Sequence, residues 1–201
     1  GVSMGSTLFE VVSHVVHPAA QKVTFVPLVG GVGRVRMELH ANSLAESLSR
    51  IYDGKFVPLH APARVSSRNI RDELLKEDSL LPAIYLTQKL DIAVVGIGYP
   101  NEKSAIMATG YFKENEIESL IDRKVAGELC MQFYDIYGDT APYKDDNNVI
   151  GMDISMLRSV PRSIGIAGGV EKLRAVRGAI NGHYINTLIT DIECAEALIS
   201  E

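Results

Sequence analysis

The sequence predicts an α/β protein with a mainly parallel sheet flanked by helices. Short, nearly continuous apolar runs alternate with segments of helical periodicity, and glycine clusters follow the apolar runs. The chain has 201 residues, 46% apolar and 22% charged, which is typical of a globular protein with a substantial core. Because no linker-like tract divides it, we expect one domain over residues 1–201.

The first half of the chain contains two predicted strands. The apolar run 23–29 ends at a glycine pair, as expected of a strand buried on both faces. Residues 41–52 repeat apolar side chains at spacings of three and four, which predicts a helix that ends at Asp53. The run 56–59 contains a proline, which indicates an edge strand or a strand end. Two further helices are expected over about 69–76 and 80–89.

The second half of the chain predicts three more strands, over 91–98, 163–169 and 185–191. A helix between the last two carries Leu173, Val176, Ala179 and Ile180 on one face, and a final helix carries Ala195, Leu198 and Ile199. Strands that alternate with helices indicate parallel pairing, and ligands of such sheets bind beyond the carboxyl ends of the strands. The glycine clusters fall at those ends.

The first residues indicate a strand that is incomplete. Residues 1–7 have the composition of a strand end and a loop, and a helix is expected from about Leu8 to Val16. The strand that would lead into this loop is missing, so we expect the chain to be truncated at its N-terminus.

The charge, hydropathy, cysteines and histidines of the chain limit the classes of function that it can have. The formal net charge is -5 and no run of Lys or Arg exceeds two, so we do not expect this chain to hold DNA alone. There is no apolar stretch of membrane-spanning length and no signal peptide, so we expect a cytoplasmic protein that does not bind a membrane. Cys130 and Cys194 have apolar neighbours, which favours buried free thiols over a disulfide. His14 and His17 lack partners at metal-ligand spacing, so we expect neither a metal nor a cofactor.

Four loops have the composition of anion-binding turns. Glycine lets the backbone approach a phosphate, and a helix N-terminus that follows presents free N–H groups. A dinucleotide fingerprint fails on glycine spacing, and the Gly-Lys-Ser/Thr of a Walker loop does not occur. The alternative for each loop is an ordinary strand-to-helix turn, which also favours glycine. The loops are Gly1–Thr7, Gly30-Gly31-Val-Gly33-Arg34, Gly96-Ile-Gly98 and Ala167-Gly168-Gly169-x-x-Lys172.

A set of motifs, in order and with matching spacing over essentially the whole chain, resembles the C-terminal effector-binding domain of SorC-type bacterial transcription regulators. These motifs are Gly1-Val-Ser-Met-Gly-Ser-Thr-Leu8, Ala61-Pro-Ala-Arg64, Asp91–Gly98, Thr109-Gly-Tyr111, Gly127-Glu128 with Phe133-Tyr-Asp135-x-x-Gly138, Ile166-Ala-Gly-Gly-x-x-Lys172 and Leu188-Ile-Thr-Asp191. The resemblance implies a fold similar to that of the sugar-phosphate isomerases and deaminases. It also implies a helix-turn-helix segment upstream, which this sequence lacks.

The resemblance implies a site for a phosphorylated sugar. Lys172 matches the phosphate-binding lysine of the family, and it lies where its ammonium can reach an anion at a helix N-terminus. Arg64 matches a phosphate-binding position, with a structural ion pair as the alternative. Glu128 matches the acidic residue that holds sugar hydroxyls, although many relatives have Asp. The other expected effector-binding residues are Ser3, Gly5, Ser6 and Thr7 in the first loop, Gly30, Gly31 and Gly33 as backbone donors, and Thr109.

Three other side chains in the matched motifs, Asp135, Thr190 and Asp191, are predicted to be structural, and the role of Tyr111 is left open. Tyr111 is as consistent with a packed core aromatic as with a ligand contact. Asp135 is expected to form a turn, and Asp191 to cap the last helix together with Thr190.

We therefore expect a non-catalytic sensor whose partners are a phosphorylated sugar, DNA through the missing helix-turn-helix, and copies of itself in a homodimer or homotetramer. The alternative is a sugar-phosphate isomerase or deaminase on the same fold, because a fold does not fix a function. Isomerisation needs an acid/base poised over the substrate. Glu128 could serve, but the matched motifs offer no second candidate beside it.

Overall fold

The computed structural model describes residues 1–16, 22–33, 35–101 and 109–200. The strands are β1 (Thr24–Phe25), β2 (Lys55–Phe56), β3 (Ile92–Gly96), β4 (Gly127–Leu129), β5 (Gln132–Tyr134), β6 (Arg162–Ile166) and β7 (Thr187–Ile189). The α-helices are α1 (Ser6–Ser13), α2 (Ala41–Ile51), α3 (Arg68–Leu74), α4 (Leu81–Thr87), α5 (Glu114–Asp122), α6 (Leu173–Asn181) and α7 (Ile192–Ser200). Short 3-10 helices cover Met37–Leu39, Ala141–Tyr143, Ile154–Ser159 and Val170–Lys172.

The predicted parallel sheet is confirmed. β1 pairs with β2 in parallel, and β3, β6 and β7 form a parallel sheet with β6 in the middle. Residues 1–3 lie between these two groups, because Val2 forms a parallel bridge with Pro27 on one side and with Val94 on the other. The Ser3 N–H donates to the Val94 carbonyl at 3.0 Å. The spatial order is therefore β2, β1, residues 1–3, β3, β6 and β7.

Helices pack against the strands where apolar periodicity predicts them. α1 and α2 contact each other and the strands β1 to β3, and α6 contacts α7 and β4. α2 buries Ala41, Leu44 and Ala45 and ends at Ile51, close to its predicted end. The last helix differs from its prediction in one respect. Its Ile199 is 85% exposed, and the buried residue of α7 is Cys194.

The helix α5 and an antiparallel hairpin formed by β4 and β5 have no counterpart in the sequence prediction. The hairpin turn consists of Cys130 and Met131, at φ of 51° and 64°. Positive φ at both residues of a two-residue loop is the type I′ turn, which usually contains Asn-Gly. Cys-Met carries no such turn signal, which is why the sequence does not reveal the hairpin.

The core is built around three fully buried tyrosines whose hydroxyls donate to backbone carbonyls. Tyr134 donates to Ala175 at 3.0 Å, Tyr143 to Arg123 at 2.9 Å and Tyr184 to Gly138 at 2.6 Å. Buried hydroxyls that find partners cost little free energy.

The predicted state of both cysteines is confirmed, since Cys130 and Cys194 are buried and free.

Asp135 forms the predicted turn, because its Oδ1 accepts the N–H groups of Tyr137 and Asp139. Within the described ranges, no helix has the length and apolar character needed to cross a bilayer.

Candidate functional site

A cleft lies where the first loop, the end of β3 and the β4–β5 hairpin meet. It is a small, partly open cavity of about 40 Å³. Four residues predicted for the site, Ser3, Gly5, Thr109 and Glu128, line it together. The complete lining is Ser3, Met4, Gly5, Gly96, Thr109, Glu128, Cys130 and Met131.

The N-terminus of α1 begins at this cleft. Gly5 is the N-cap, with φ of 118°, and no side chain caps the helix. Its own N–H donates to the Leu39 carbonyl at 3.0 Å, so the donors that remain belong to the residues after it. In any α-helix the first N–H groups have no intrahelical acceptor, and here they belong to Ser6, Thr7 and Leu8. Ser6 is exposed and Thr7 half-buried, so two hydroxyls accompany these donors. This end of the helix suits an anion.

The backbone holds Glu128 tightly. Its N–H and carbonyl exchange hydrogen bonds of 2.9 and 3.0 Å with Gly98, which follows β3. A Cβ at position 98 would collide with the Glu128 carboxylate as it is placed here, so glycine at this position leaves room for that side chain. The glycine that the sequence suggests as an anion contact therefore makes room for an acidic side chain. The Glu128 Oε2 accepts the Met131 N–H at 2.8 Å.

Burial raises the pKa of the Glu128 carboxyl to about 7. Desolvation is the main cause, and the Met131 hydrogen bond and the charge of Lys172 lower the pKa in part. The neighbouring Cys130 thiol has its pKa raised to about 12, again mainly by burial, so it stays protonated at neutral pH. Glu128 can thus both accept and donate hydrogen bonds to hydroxyl groups near neutral pH.

Lys172 is close enough to Glu128 to lower the pKa of its carboxyl. It is the last residue of the 3-10 helix Val170–Lys172 and is half-buried. Its N–H donates to the Gly169 carbonyl at 3.1 Å. Among the described residues, its ammonium forms no ion pair within 4.0 Å. The structure therefore places an available cation near the acidic side chain of the cleft.

A carboxylate of the protein already binds the loop before Lys172. Asp191 accepts the Gly169 N–H at 2.5 Å and the Cys194 N–H at 2.7 Å. The second bond confirms the predicted cap of the last helix. The first removes the Gly169 N–H from the set of donors that the loop composition predicts for a ligand.

The predicted role of Gly30 and Gly31 needs correction. The Gly30 N–H donates to the Ile150 carbonyl at 2.9 Å and the Gly31 N–H to the Ala61 carbonyl at 2.8 Å, so neither is free for a phosphate. A Cβ at position 30 would lie 2.6 Å from the Ala61 oxygen, so glycine serves close packing there. Gly33 is exposed, with open space where a Cβ would stand, and Arg34 lies outside the described residues, as does His17.

Arg64 forms the structural ion pair that the sequence analysis gives as the alternative to phosphate binding. Its guanidinium donates to the Tyr111 carbonyl at 2.6 Å and pairs with Glu116 at 3.1 Å. It also stacks 4.2 Å from the centre of the Phe112 ring. Because the side chain is only 14% exposed and engaged in these contacts, the structure does not present it to a phosphate.

Thr109 and Tyr111 form one wall beside the cleft. Thr109 is buried, and its Oγ1 accepts the Tyr111 N–H at 3.2 Å. The Tyr111 hydroxyl donates to the Gly31 carbonyl at 3.2 Å. Tyr111 thus links Thr109 to the loop that contains Gly31. It is a packed aromatic residue and does not line the cleft.

Sequence reasoning missed Met4, Cys130 and Met131 as cleft residues. The Met4 N–H donates to the Ser3 Oγ at 2.7 Å. Cys130 and Met131 reach the cleft only because the hairpin turns there. An apolar Leu-Cys-Met segment predicts core, and nothing in it signals a turn.

Within the described ranges, no group of three or more His, Cys, Asp or Glu side chains is arranged to hold a metal ion. The donors around the cleft are a helix N-terminus, hydroxyls, a carboxyl and an ammonium. Such a set suits an anionic ligand that also carries hydroxyls.

Comparison with protein families gives one match over nearly the whole chain. The model of the Sugar-bind family, which describes a sugar-binding domain, matches residues 1–200 of this chain. Among curated proteins, the chain is 33% identical over 184 residues to the transcriptional regulator LsrR of Escherichia coli strain SMS-3-5, covering 90% of this chain and 56% of that protein. It is 30% identical over 181 residues to the sorbitol operon regulator of Klebsiella pneumoniae, covering 90% and 58%. It is 26% identical over 203 residues to the deoxyribonucleoside regulator of Bacillus subtilis, covering 100% and 64%. The chain spans less than two thirds of these relatives.

Solved structures show the same similarity in three dimensions. The full-length sorbitol operon regulator SorC from Klebsiella pneumoniae superposes with a TM-score of 0.88 at 30% identity, over 99% of this chain and 65% of that one. A transcriptional regulator from Streptococcus pneumoniae superposes with a TM-score of 0.91 at 26% identity, over 100% and 76%.

Proposed function

This chain belongs to the Sugar-bind family, the sugar-binding domains of SorC/DeoR-type transcriptional regulators, and we propose that it is the ligand-sensing domain of such a regulator and binds a phosphorylated sugar in the cleft. One observation carries the proposal: the charge of Lys172, which forms no ion pair with a described residue, acts on the Glu128 carboxyl that lines the cleft. A cation and a carboxyl that influence each other suit a ligand that combines an anionic group with hydroxyls.

The two ends of the ligand use different parts of the site. The N-terminus of α1 supplies N–H donors and the hydroxyls of Ser6 and Thr7, and Lys172 supplies a full charge for the phosphate. Glu128 pairs with sugar hydroxyls, for which a carboxyl with a pKa of about 7 is suited because it can accept or donate. The buried Ser3 and Thr109 complete the polar lining.

Sensing follows from a shift in population. A ligand that contacts one arrangement of domains or subunits better than another shifts the equilibrium toward it, by no more than its difference in binding free energy. We propose that DNA is bound by a helix-turn-helix elsewhere in the full-length regulator and that the working form is a homodimer or homotetramer. The net charge of -5 fits a sensing domain that does not itself hold DNA.

An isomerase or deaminase activity is the rival function, and the Glu128 carboxyl is the observation that favours it. A carboxyl with a pKa of about 7 is well placed for acid/base work. The only other titratable group in the cleft lining of the described residues is the Cys130 thiol, which stays protonated at neutral pH. NMR spectra of hexose and pentose phosphates incubated with the chain should therefore show binding without new species. Steady conversion at about one turnover per second or more would support the enzyme instead.

The direct test compares each sugar phosphate with its free sugar. Fructose 6-phosphate, glucose 6-phosphate and ribose 5-phosphate form the panel, and the thermal midpoint of the chain is measured with and without each ligand. A ligand that binds only the folded state adds about 2.7 kcal/mol at a hundredfold excess over Kd. This corresponds to a rise of about 5–10 °C for a domain of this size. The free sugars should lose most of the rise. Equal shifts within every pair would refute a phosphate site.

A further inference from the structure

Asp191 connects two loops at the carboxyl ends of neighbouring strands. β6 and β7 pair in parallel, and the chain leaves β6 through Gly168 and Gly169 and leaves β7 through Thr190 and Asp191. The Asp191 Oδ2 accepts the Gly169 N–H at 2.5 Å, and its Oδ1 accepts the Cys194 N–H at 2.7 Å. One carboxylate therefore ties the loop before Lys172 to the first turn of α7.

The backbone of Gly168 and Gly169 lies close to this carboxylate. A Cβ at position 168 would lie 2.7 Å from the Asp191 Oδ2, closer than side chains tolerate. Gly169 has φ of 96°, a conformation that L side chains rarely adopt. Glycine thus allows the loop to close on Asp191. Glycine is also the most flexible residue, so the loop depends for its order on a hydrogen bond from outside it, the one that Asp191 accepts. We call this bond the tether.

Asp191 influences the position of Lys172 through one residue, Gly169. Asp191 fixes Gly169 by its N–H, and the Gly169 carbonyl accepts the Lys172 N–H at 3.1 Å, closing the 3-10 helix. The hydrogen bonds from Cys194 and Gly169 lower the pKa of the Asp191 carboxyl, so it is ionised at neutral pH and accepts both bonds.

We propose that Asp191 is a positioning residue of the sugar-phosphate site, which holds Lys172 in place by tethering the Gly168-Gly169 loop. This inference rests on the proposed function, because it takes Lys172 as the cation that binds the phosphate. The negative charge of Asp191 would by itself repel an anion. However, Asp191 is exposed, and the interactions of exposed charges are screened by salt.

The first experiment tests the tether without any ligand. Hydrogen–deuterium exchange of amides 168–172 is measured in the unaltered chain and in three variants. Asp191→Ala removes both bonds. Asp191→Ser keeps a good helix cap but has one side-chain oxygen and cannot make both. Glu193→Gln is the matched control, because it removes an exposed negative charge from the same helix turn. Exchange should be about tenfold faster or more in both Asp191 variants and unchanged in the control. Unchanged exchange in the Asp191 variants would overturn the proposal.

The second experiment tests whether Asp191 acts through Lys172. Calorimetry measures the affinity for whichever of the three sugar phosphates binds the unaltered chain most tightly. Asp191→Ser should weaken it about five- to tenfold, and Glu193→Gln should stay within about twofold. The double variant Lys172→Ala with Asp191→Ser should bind no more weakly than Lys172→Ala alone. Tighter binding by Asp191→Ser, or additive losses in the double variant, would overturn the proposal.

The two experiments also separate this inference from the proposed function. If Lys172→Ala binds like the unaltered chain, the phosphate role of Lys172 fails, and the positioning role fails with it. The exchange rates would then still show whether Asp191 orders the loop. If Lys172→Ala loses binding while Asp191→Ser does not, only the positioning role fails.

Discussion

The Glu128 carboxylate accepts a hydrogen bond of 2.8 Å from the N–H of Met131, a residue at φ of 64°. Non-glycine residues in this conformation cost about 1–3 kcal/mol each, and Cys130 shares it. The carboxylate that faces the cleft therefore also stabilises an unfavourable turn. A ligand that contacts Glu128 therefore shares this side chain with the hairpin, which uses the Oε2 atom.

Replacing Lys172 with Ala should greatly weaken binding of a sugar phosphate and leave the fold intact. The loss of a charge-assisted contact costs about 1.5–3 kcal/mol, which is tenfold or more in affinity. Calorimetry measures the effect, with Lys76→Ala as a control that removes an exposed lysine outside the cleft lining. Unchanged affinity would remove Lys172 from the site.

Replacing Glu128 with Gln should weaken binding and alter the order of preference among sugar phosphates. The amide oxygen can still accept the Met131 N–H, but the NH₂ group can only donate, so hydroxyl pairing must rearrange. Competition across the same panel of sugar phosphates measures the preference. An identical profile in both proteins would show that Glu128 does not read the sugar.

The same substitution should stabilise the unliganded chain at alkaline pH. The folded-state pKa of Glu128, about 7, lies above its ordinary value of 4.5, so the folded state binds the proton more tightly than the unfolded state. The stability that this contributes is fully present below pH 4.5 and is lost as pH rises through about 7. Relative to Glu128→Gln, the unaltered chain should lose on the order of 2–3 kcal/mol between pH 5 and pH 8. Thermal midpoints over this range measure the difference. A constant difference at every pH would contradict the raised pKa.

Replacing Arg64 with Ala should lower stability more than it lowers affinity. The variant loses an ion pair with Glu116, a bond to the Tyr111 carbonyl and the contact with Phe112, which together are worth about 1–3 kcal/mol. Affinity for a sugar phosphate should change less than about threefold. Urea unfolding and calorimetry separate the two effects. A tenfold loss of affinity at unchanged stability would restore the phosphate role that the family resemblance implies.

Sequence reasoning predicts the parallel sheet and the residues that carry distinctive chemistry. The apolar run 91–98 predicts a central strand, and β3 lies between residues 1–3 and β6. The first loop, Glu128 and Lys172 lie in motifs whose spacing is specific. The first loop and Lys172 follow strands whose carboxyl ends lie at one edge of the parallel sheet, whereas Glu128 reaches the cleft through the antiparallel hairpin.

The remaining contacts depend on tertiary partners that composition does not encode. Gly30 and Gly168 look like phosphate-binding glycines, but one packs against the Ala61 carbonyl and the other against Asp191. A glycine required for close approach to protein has the same signature as one required for close approach to a ligand. Arg64 is similar, because only the fold brings Glu116 to its guanidinium.

Val2 is the only residue that bridges to both groups of strands among those that the structure describes, with Pro27 on one side and Val94 on the other. The next residue, Ser3, already lines the cleft. The candidate site therefore lies across the join between the two groups of strands: the first loop is at the join, and Glu128 is attached to the β3 side through Gly98. A ligand that contacted both would connect the two groups of strands and so oppose their separation.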